Sequence, residues 1–121
     1  MDISILSEAW IKASAEADAS SQENDWSVNY VIDLMLEGKF CELWTFVLST
    51  YKKPMTGDAL GLLAAGPLED ILAHAGEQYI DEIEVLIRQD PAFRQLPGGV
   101  WQNAMSDTIW QRISNASGKG W

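Results

Sequence analysis

Cysteine and histidine each occur once in the 121 residues. A single Cys41 allows no internal disulfide and no cysteine-based zinc site, and a single His74 excludes a two-histidine metal site within one chain. Cys41 reads as a buried core thiol in a reducing compartment. Basic residues are scarce as well, eight against 18 acids, for a formal charge of −10. Binding to a phosphate backbone needs several Lys or Arg to displace counterions, so direct nucleic-acid binding is disfavoured. No run of about 18 apolar residues is present to span a bilayer. The start, Met1-Asp2-Ile3-Ser4, has neither the basic stretch nor the apolar segment of a signal peptide. The expectation is a cytoplasmic chain with no membrane association. No phosphate-cradling loop is found, because Gly98-Gly99 is not followed by lysine and a hydroxyl residue, and no serine sits in a nucleophile elbow. Nothing in the pattern implies a cofactor or a metal.

What is present is apolar periodicity of helical spacing. Hydrophobic residues make up 47% of the chain, enough for one core, and no stretch shows the alternation of a strand. Ile3, Leu6, Trp10 and Ala13 predict a helix from a cap at Asp2 to about Ala17. Residues 18–25 are rich in turn formers and read as a mobile loop whose Asp25 caps the next helix. Val28, Val31, Ile32, Met35 and Leu36 form an apolar stripe over Trp26–Glu37, with Gly38 as the stop. Phe40, Leu43, Trp44, Val47, Leu48 and Tyr51 continue in a helix that turns back on it. Asp58–Ala65 is a short helix ended by Gly66, and Pro67 opens a wedge helix with Glu69 and Asp70 in its first turn. Gly76 ends that wedge. Tyr79, Ile80, Ile83, Leu86 and Ile87 share one side of the following helix, where Glu84 and Arg88 are spaced to pair. Asp90-Pro91 opens a short turn, Ser106 caps a last helix, and residues 115–121 read as a frayed tail. The fold class is all-α: a single helical domain over 1–121 with about seven short helices in antiparallel hairpins, arranged as a helical-repeat-like stack or an irregular bundle.

Two stretches hold most of the negative charge: residues 1–25, with six acids against Lys12, and residues 69–90, with seven against Arg88. Such a field favours a basic protein partner. Six tryptophans accompany it. Trp10, Trp44 and Trp110 lie on apolar stripes, while Trp26, Trp101 and Trp121 are placed to be more exposed; Trp101 is a candidate aromatic anchor.

The fragments Leu63-Ala64-Ala65-Gly66-Pro67-Leu68-Glu69-Asp70-Ile71-Leu72, Tyr79-Ile80-Asp81, Asp90-Pro91-Ala92-Phe93-Arg94 and Gly98-Gly99-Val100-Trp101-Gln102-Asn103 carry a resemblance. Over about residues 60–113 the chain resembles a group of small bacterial proteins known as domain of unknown function 6869. The resemblance implies a helical fold and a bacterial or phage origin. It transfers no catalytic residue, because the group has no established activity.

The leading expectation is a non-enzymatic acidic protein-binding module, most concretely an immunity or inhibitor protein that masks a basic partner such as a toxin or nuclease. Glu77, Asp81, Glu82 and Glu84 are the first candidates for the contact, then Glu69, Asp70 and Trp101. One alternative is a small hydrolase or transferase using Asp70 and His74, which are four apart on one helix and suited to acid–base work. Another is a DNA-mimicking inhibitor, for which the acids are sparse. A homodimer through exposed aromatics is open.

Overall fold

In the computed structural model, residues 2–15, 24–97, 100, 102 and 105–117 are described. All their regular structure is helical, and no strand occurs among them. The elements are α1 (Ile3–Ala15), α2 (Asp25–Leu36), α3 (Phe40–Thr50), α4 (Gly57–Leu63), a wide π turn (Ala64–Leu68), α5 (Glu69–Gln89), α6 (Pro91–Arg94) and α7 (Asp107–Ser117).

Side-chain caps set several of these boundaries. Asp2 Oδ1 accepts Ser4 N–H at 2.9 Å, Thr56 Oγ1 accepts Ala59 N–H at 3.1 Å, Asp90 Oδ1 accepts Ala92 N–H at 3.0 Å, and Ser106 Oγ accepts Ile109 N–H at 3.2 Å. Each satisfies an N–H that has no partner inside its helix. Asp25 is not the cap expected of it. It is the first residue of α2, and the Ser27 hydroxyl donates to the Asn24 carbonyl at 2.6 Å just ahead of it. Gly38, at φ +69°, is where α2 turns back into α3. Gly38 N–H reaches the Met35 carbonyl at 3.3 Å and Lys39 N–H the Leu34 carbonyl at 2.9 Å, which ties off the end of α2. The tail is helical further than its composition suggests, since α7 runs through residues 115–117. The remainder of that tail and residues 18–23 of the expected loop lie outside the described residues.

The middle of the chain departs from the first of its two expected breaks. Gly66 does not end a helix and Pro67 does not open one: both sit inside the π turn, where Glu69 N–H donates to the Ala64 carbonyl five residues back. Proline in an ordinary helix clashes with the carbonyl four residues earlier and donates nothing to it. Widening the turn relieves both problems without stopping the helix. The break expected at Gly76 falls one residue earlier, at Ala75, where helical dihedrals are interrupted and two helical segments meet at a kink. The hydrogen-bonded run continues to Gln89, bent at Ala75 (φ −133°, ψ 24°). Gly76 is buried there because the Ile109 side chain occupies the space beside it, with three carbons 3.2 to 3.3 Å from where a Cβ would stand.

Around this bent helix the core runs continuously from Leu6 to Ile113. α1 packs on α2, α3 and α4, while α5 packs on α3, α6 and α7. Trp10 meets Phe46 edge-on at 5.5 Å, and Phe93 meets both Trp44 and Tyr51 edge-on. Ile71, Leu72, Tyr79, Ile80, Ile83 and Ile87 are buried along α5 as its periodicity predicts. Each fully buried aliphatic chain contributes about 1.5 to 3 kcal/mol of transfer free energy before ordering costs. Tyr51 donates its hydroxyl to Asp90 Oδ2 at 2.6 Å, so α3 is tied to the end of α5. Burial first, and that bond second, push the Tyr51 pKa up to about 12.

Candidate functional site

α2 carries apolar residues on two sides, and only one is covered. Val31 and Leu34 are buried with Ser27 against the core, but Ile32 is 44% exposed and Leu36 is 80% exposed. These last two are four apart and therefore share an outward ridge. The sequence assigns both to the core stripe, and the structure corrects this: the stripe is wider than the face that α1 and α3 can bury. Leu62 on α4, 52% exposed, lies across from Ile32 in an apolar depression of about 430 Å³ that also reaches Trp10 and Pro67.

The Gly38 turn directs Phe40 toward the first turns of α5, where it stacks on His74 with ring centroids 6.1 Å apart and an interplanar angle of 25°. This pair forms a ridge between two grooves. One, of about 490 Å³, is lined by Ile32, Met35, Leu36 and Phe40 with Asp70 and His74 at its wall. The other, of about 550 Å³, runs along His74, Gly76 and Glu77 to Ser106 and Ile109.

Asp70 is the unusual group. One carboxylate oxygen, Oδ1, faces His74 Nε2 at 3.6 Å, and the other, Oδ2, is buried with no hydrogen-bond partner among the described residues. Loss of solvent raises the Asp70 pKa above the usual carboxylate range; His74 opposes the rise and Glu69 adds to it. His74 is more than half exposed, and among the described residues no hydroxyl or thiol side chain is hydrogen-bonded to it. Ser106 shares the second groove with His74 but uses its Oγ as the cap of α7.

The other candidate acids separate into two groups. Glu82 accepts a hydrogen bond from the Trp44 indole N–H, and Glu84 accepts one from Arg112. Arg112 also donates to Asp81 Oδ1 at 2.7 Å, though the Asp81 side chain stays 88% exposed. Glu84 first and Asp81 second hold the Arg112 pKa above its usual value. Glu84 therefore pairs across to α7 and not with Arg88 along its own helix. Glu77 is exposed at the edge of the second groove, and Glu69 is partly covered. Trp101 lies outside the described residues; Trp26 is 40% exposed. Cys41 is exposed, not a core thiol; it lies in the first turn of α3, ahead of the buried Leu43 and Trp44. Among the described residues no three His, Cys, Asp or Glu side chains gather to hold a metal ion, and no helix is long and apolar enough to cross a membrane.

With this geometry established, the match to known families is decisive in one respect: the family of unknown function DUF6869 covers residues 14–120, well beyond the 60–113 stretch that carries the resemblance. The chain belongs to that family. Both grooves and the whole of α2 to α7 fall within the matched span. No curated protein and no solved structure matches the chain.

Proposed function

We propose that this member of the family is a non-enzymatic, acidic protein-binding module that masks a basic partner, most concretely as a bacterial immunity or inhibitor protein acting on a toxin or nuclease in the cytoplasm. The observation that carries this reading is the outward ridge of Ile32 and Leu36, which borders the Asp70 groove on a chain of formal charge −10. An apolar centre within a charged rim is the usual composition of a protein interface, and a strong field of one sign steers an oppositely charged partner. Glu77 and Asp81, exposed on α5, extend the acidic rim. Glu82 and Glu84 serve mainly to hold α3 and α7 in place. That division also weakens the DNA-mimic reading, which needs carboxylates in regular array along one exposed face.

The test is affinity capture of the tagged protein from the cells that encode it, washed at low and at high salt. The expected result is a single basic protein, retained in one-to-one ratio and released as salt rises. Retention of nothing at either salt overturns the reading.

A hydrolase or transferase is favoured by one observation, the convergence of Asp70 and His74 at a groove. In that case a folded His74→Ala variant loses turnover of a substrate that the wild type converts. The lack, among the described residues, of a hydroxyl or thiol bonded to His74, and the wide exposure of its side chain, place this reading second.

A further inference from the structure

We infer that the groove between α2 and α5 seats an amphipathic segment of the partner, with an apolar side chain set between Ile32, Leu36 and Phe40 and an arginine or lysine set against Asp70. This deepens the masking function and rests on it.

The argument starts from what the groove would cost to cover. A carboxylate that loses its remaining water without gaining a donor is heavily penalised, and Asp70 already has one oxygen buried and unpartnered. A purely apolar occupant would remove the last solvent from Oδ1 and leave His74, at 3.6 Å, as the sole counter-group. An occupant carrying a cation converts that penalty into a charge-assisted hydrogen bond. Among the described residues no lysine or arginine pairs with Asp70. Lys39, the nearest basic residue in sequence to the groove wall, is paired with Glu37 at 3.2 Å.

A second copy of the chain is a poor occupant for the same reason, since two surfaces of formal charge −10 would be brought together around an acid that needs a base. Arginine suits the site better than lysine. Its planar fork can engage the carboxylate while lying on the face of the Phe40 ring, which already stacks with His74. The spacing of Ile32 and Leu36 presents a straight ridge, against which a helical segment can lay its own residues three or four apart.

The proposal is tested by selecting a random peptide library displayed on phage against the immobilised wild-type protein, then measuring the selected peptides, made synthetically, by calorimetry. The expected peptides place Arg or Lys three or four residues from Leu, Met or Phe. Their affinity should fall about tenfold or more for both Asp70→Asn and Leu36→Asp, and stay unchanged for Asp58→Asn, an exposed acid on α4 outside both grooves. Far-ultraviolet circular dichroism confirms that each variant is folded; Leu36, exposed at 80%, can be changed without opening the core. Failure to select any peptide, selection without a basic residue, or equal binding to Asp70→Asn overturns the assignment. Its fate is separable from that of the masking function. A captured basic partner that binds both groove variants as tightly as wild type removes the groove assignment and leaves masking intact. Arginine-bearing peptides at the groove, with no basic partner captured from cells, do the reverse.

Discussion

The two halves of α5, on either side of the bend at Ala75, use the same kind of residue for opposite purposes. Beyond the bend, three acids of α5 are joined to the rest of the fold, Glu82 to the Trp44 indole and Glu84 and Asp81 to Arg112, as is Asp90, just past its end, to the Tyr51 hydroxyl. Before it, Asp70 has half of its carboxylate buried and unanswered beside an open groove. Paired acids fix helices to one another. An acid left short of donors costs stability where it stands and is tolerated only in a fold that can bear it, a pattern more often met at sites of recognition than at sites of packing. Charge count alone would have ranked the second half first.

This contrast can be broken at three places. The largest effect is expected at the bend itself. Gly76→Leu drives a side chain into the space filled by Ile109, where even a Cβ would stand 3.2 Å from its nearest carbon. Overpacking of this sort costs about 1 to 3 kcal/mol, read as a lower denaturant midpoint, and it should loosen α7 first in hydrogen exchange. Next is Arg112→Met, which leaves Glu84 half-buried and without its partner across to α7. The thermal midpoint should drop at low ionic strength, and the gap to wild type should narrow as salt is added, because the competing repulsion among the acids of α5 is then screened. The smallest effect on stability is expected for Asp70→Asn, and with the opposite sign. Asp70 has a folded-state pKa raised by burial, so the native state holds its proton more tightly than the unfolded chain does. Its contribution to wild-type stability therefore falls as pH rises from the ordinary carboxylate value through the raised one. Asparagine has no such titration. The variant should match or slightly exceed wild type at neutral pH and lose that advantage on acidification, as followed by urea unfolding across the acid range. A large loss of stability at neutral pH would place Asp70 with the structural acids and dissolve the contrast.

Much of the helical plan was legible in residue types and spacing. Asp2, Asp90 and Ser106 cap where they were expected to, Gly38 turns the chain with positive φ, and the buried face of α5 follows its apolar period. What could not be read is how much of each apolar stripe finds a neighbour. Ile32 and Leu36 are as hydrophobic as Val31 and Leu34, and only the placement of α1 and α3 decides which pair is covered. The partners of the acids were hidden for a similar reason. Glu84 has a correctly spaced arginine on its own helix, yet its bond is to Arg112, 28 positions away, and no local rule reports a contact across that separation. Gly66-Pro67 carries the usual marks of a helix end, but those marks also suit a widened turn, whereas the mark at Gly76 does fall beside the kink at Ala75. Of the candidate site, sequence spacing placed Asp70 and His74 together; the aromatic wall and the outward ridge came from the tertiary arrangement.

The π turn over Ala64–Leu68 also sets the bearing of the helix that follows it. A helix advances about 100° per residue, and a turn that closes five residues back instead of four accommodates one extra residue without adding a full turn. It acts as a phase shifter between α4 and α5. α4 can point its apolar side at α1, while α5, continuous with it in the chain, points its own at α3 and α7. Asp70 and His74 owe their bearing to that offset. Closed as an ordinary helix with no residue lost, the same stretch would carry them round by about one residue's advance, about 100°, and turn the acid away from the α2 ridge.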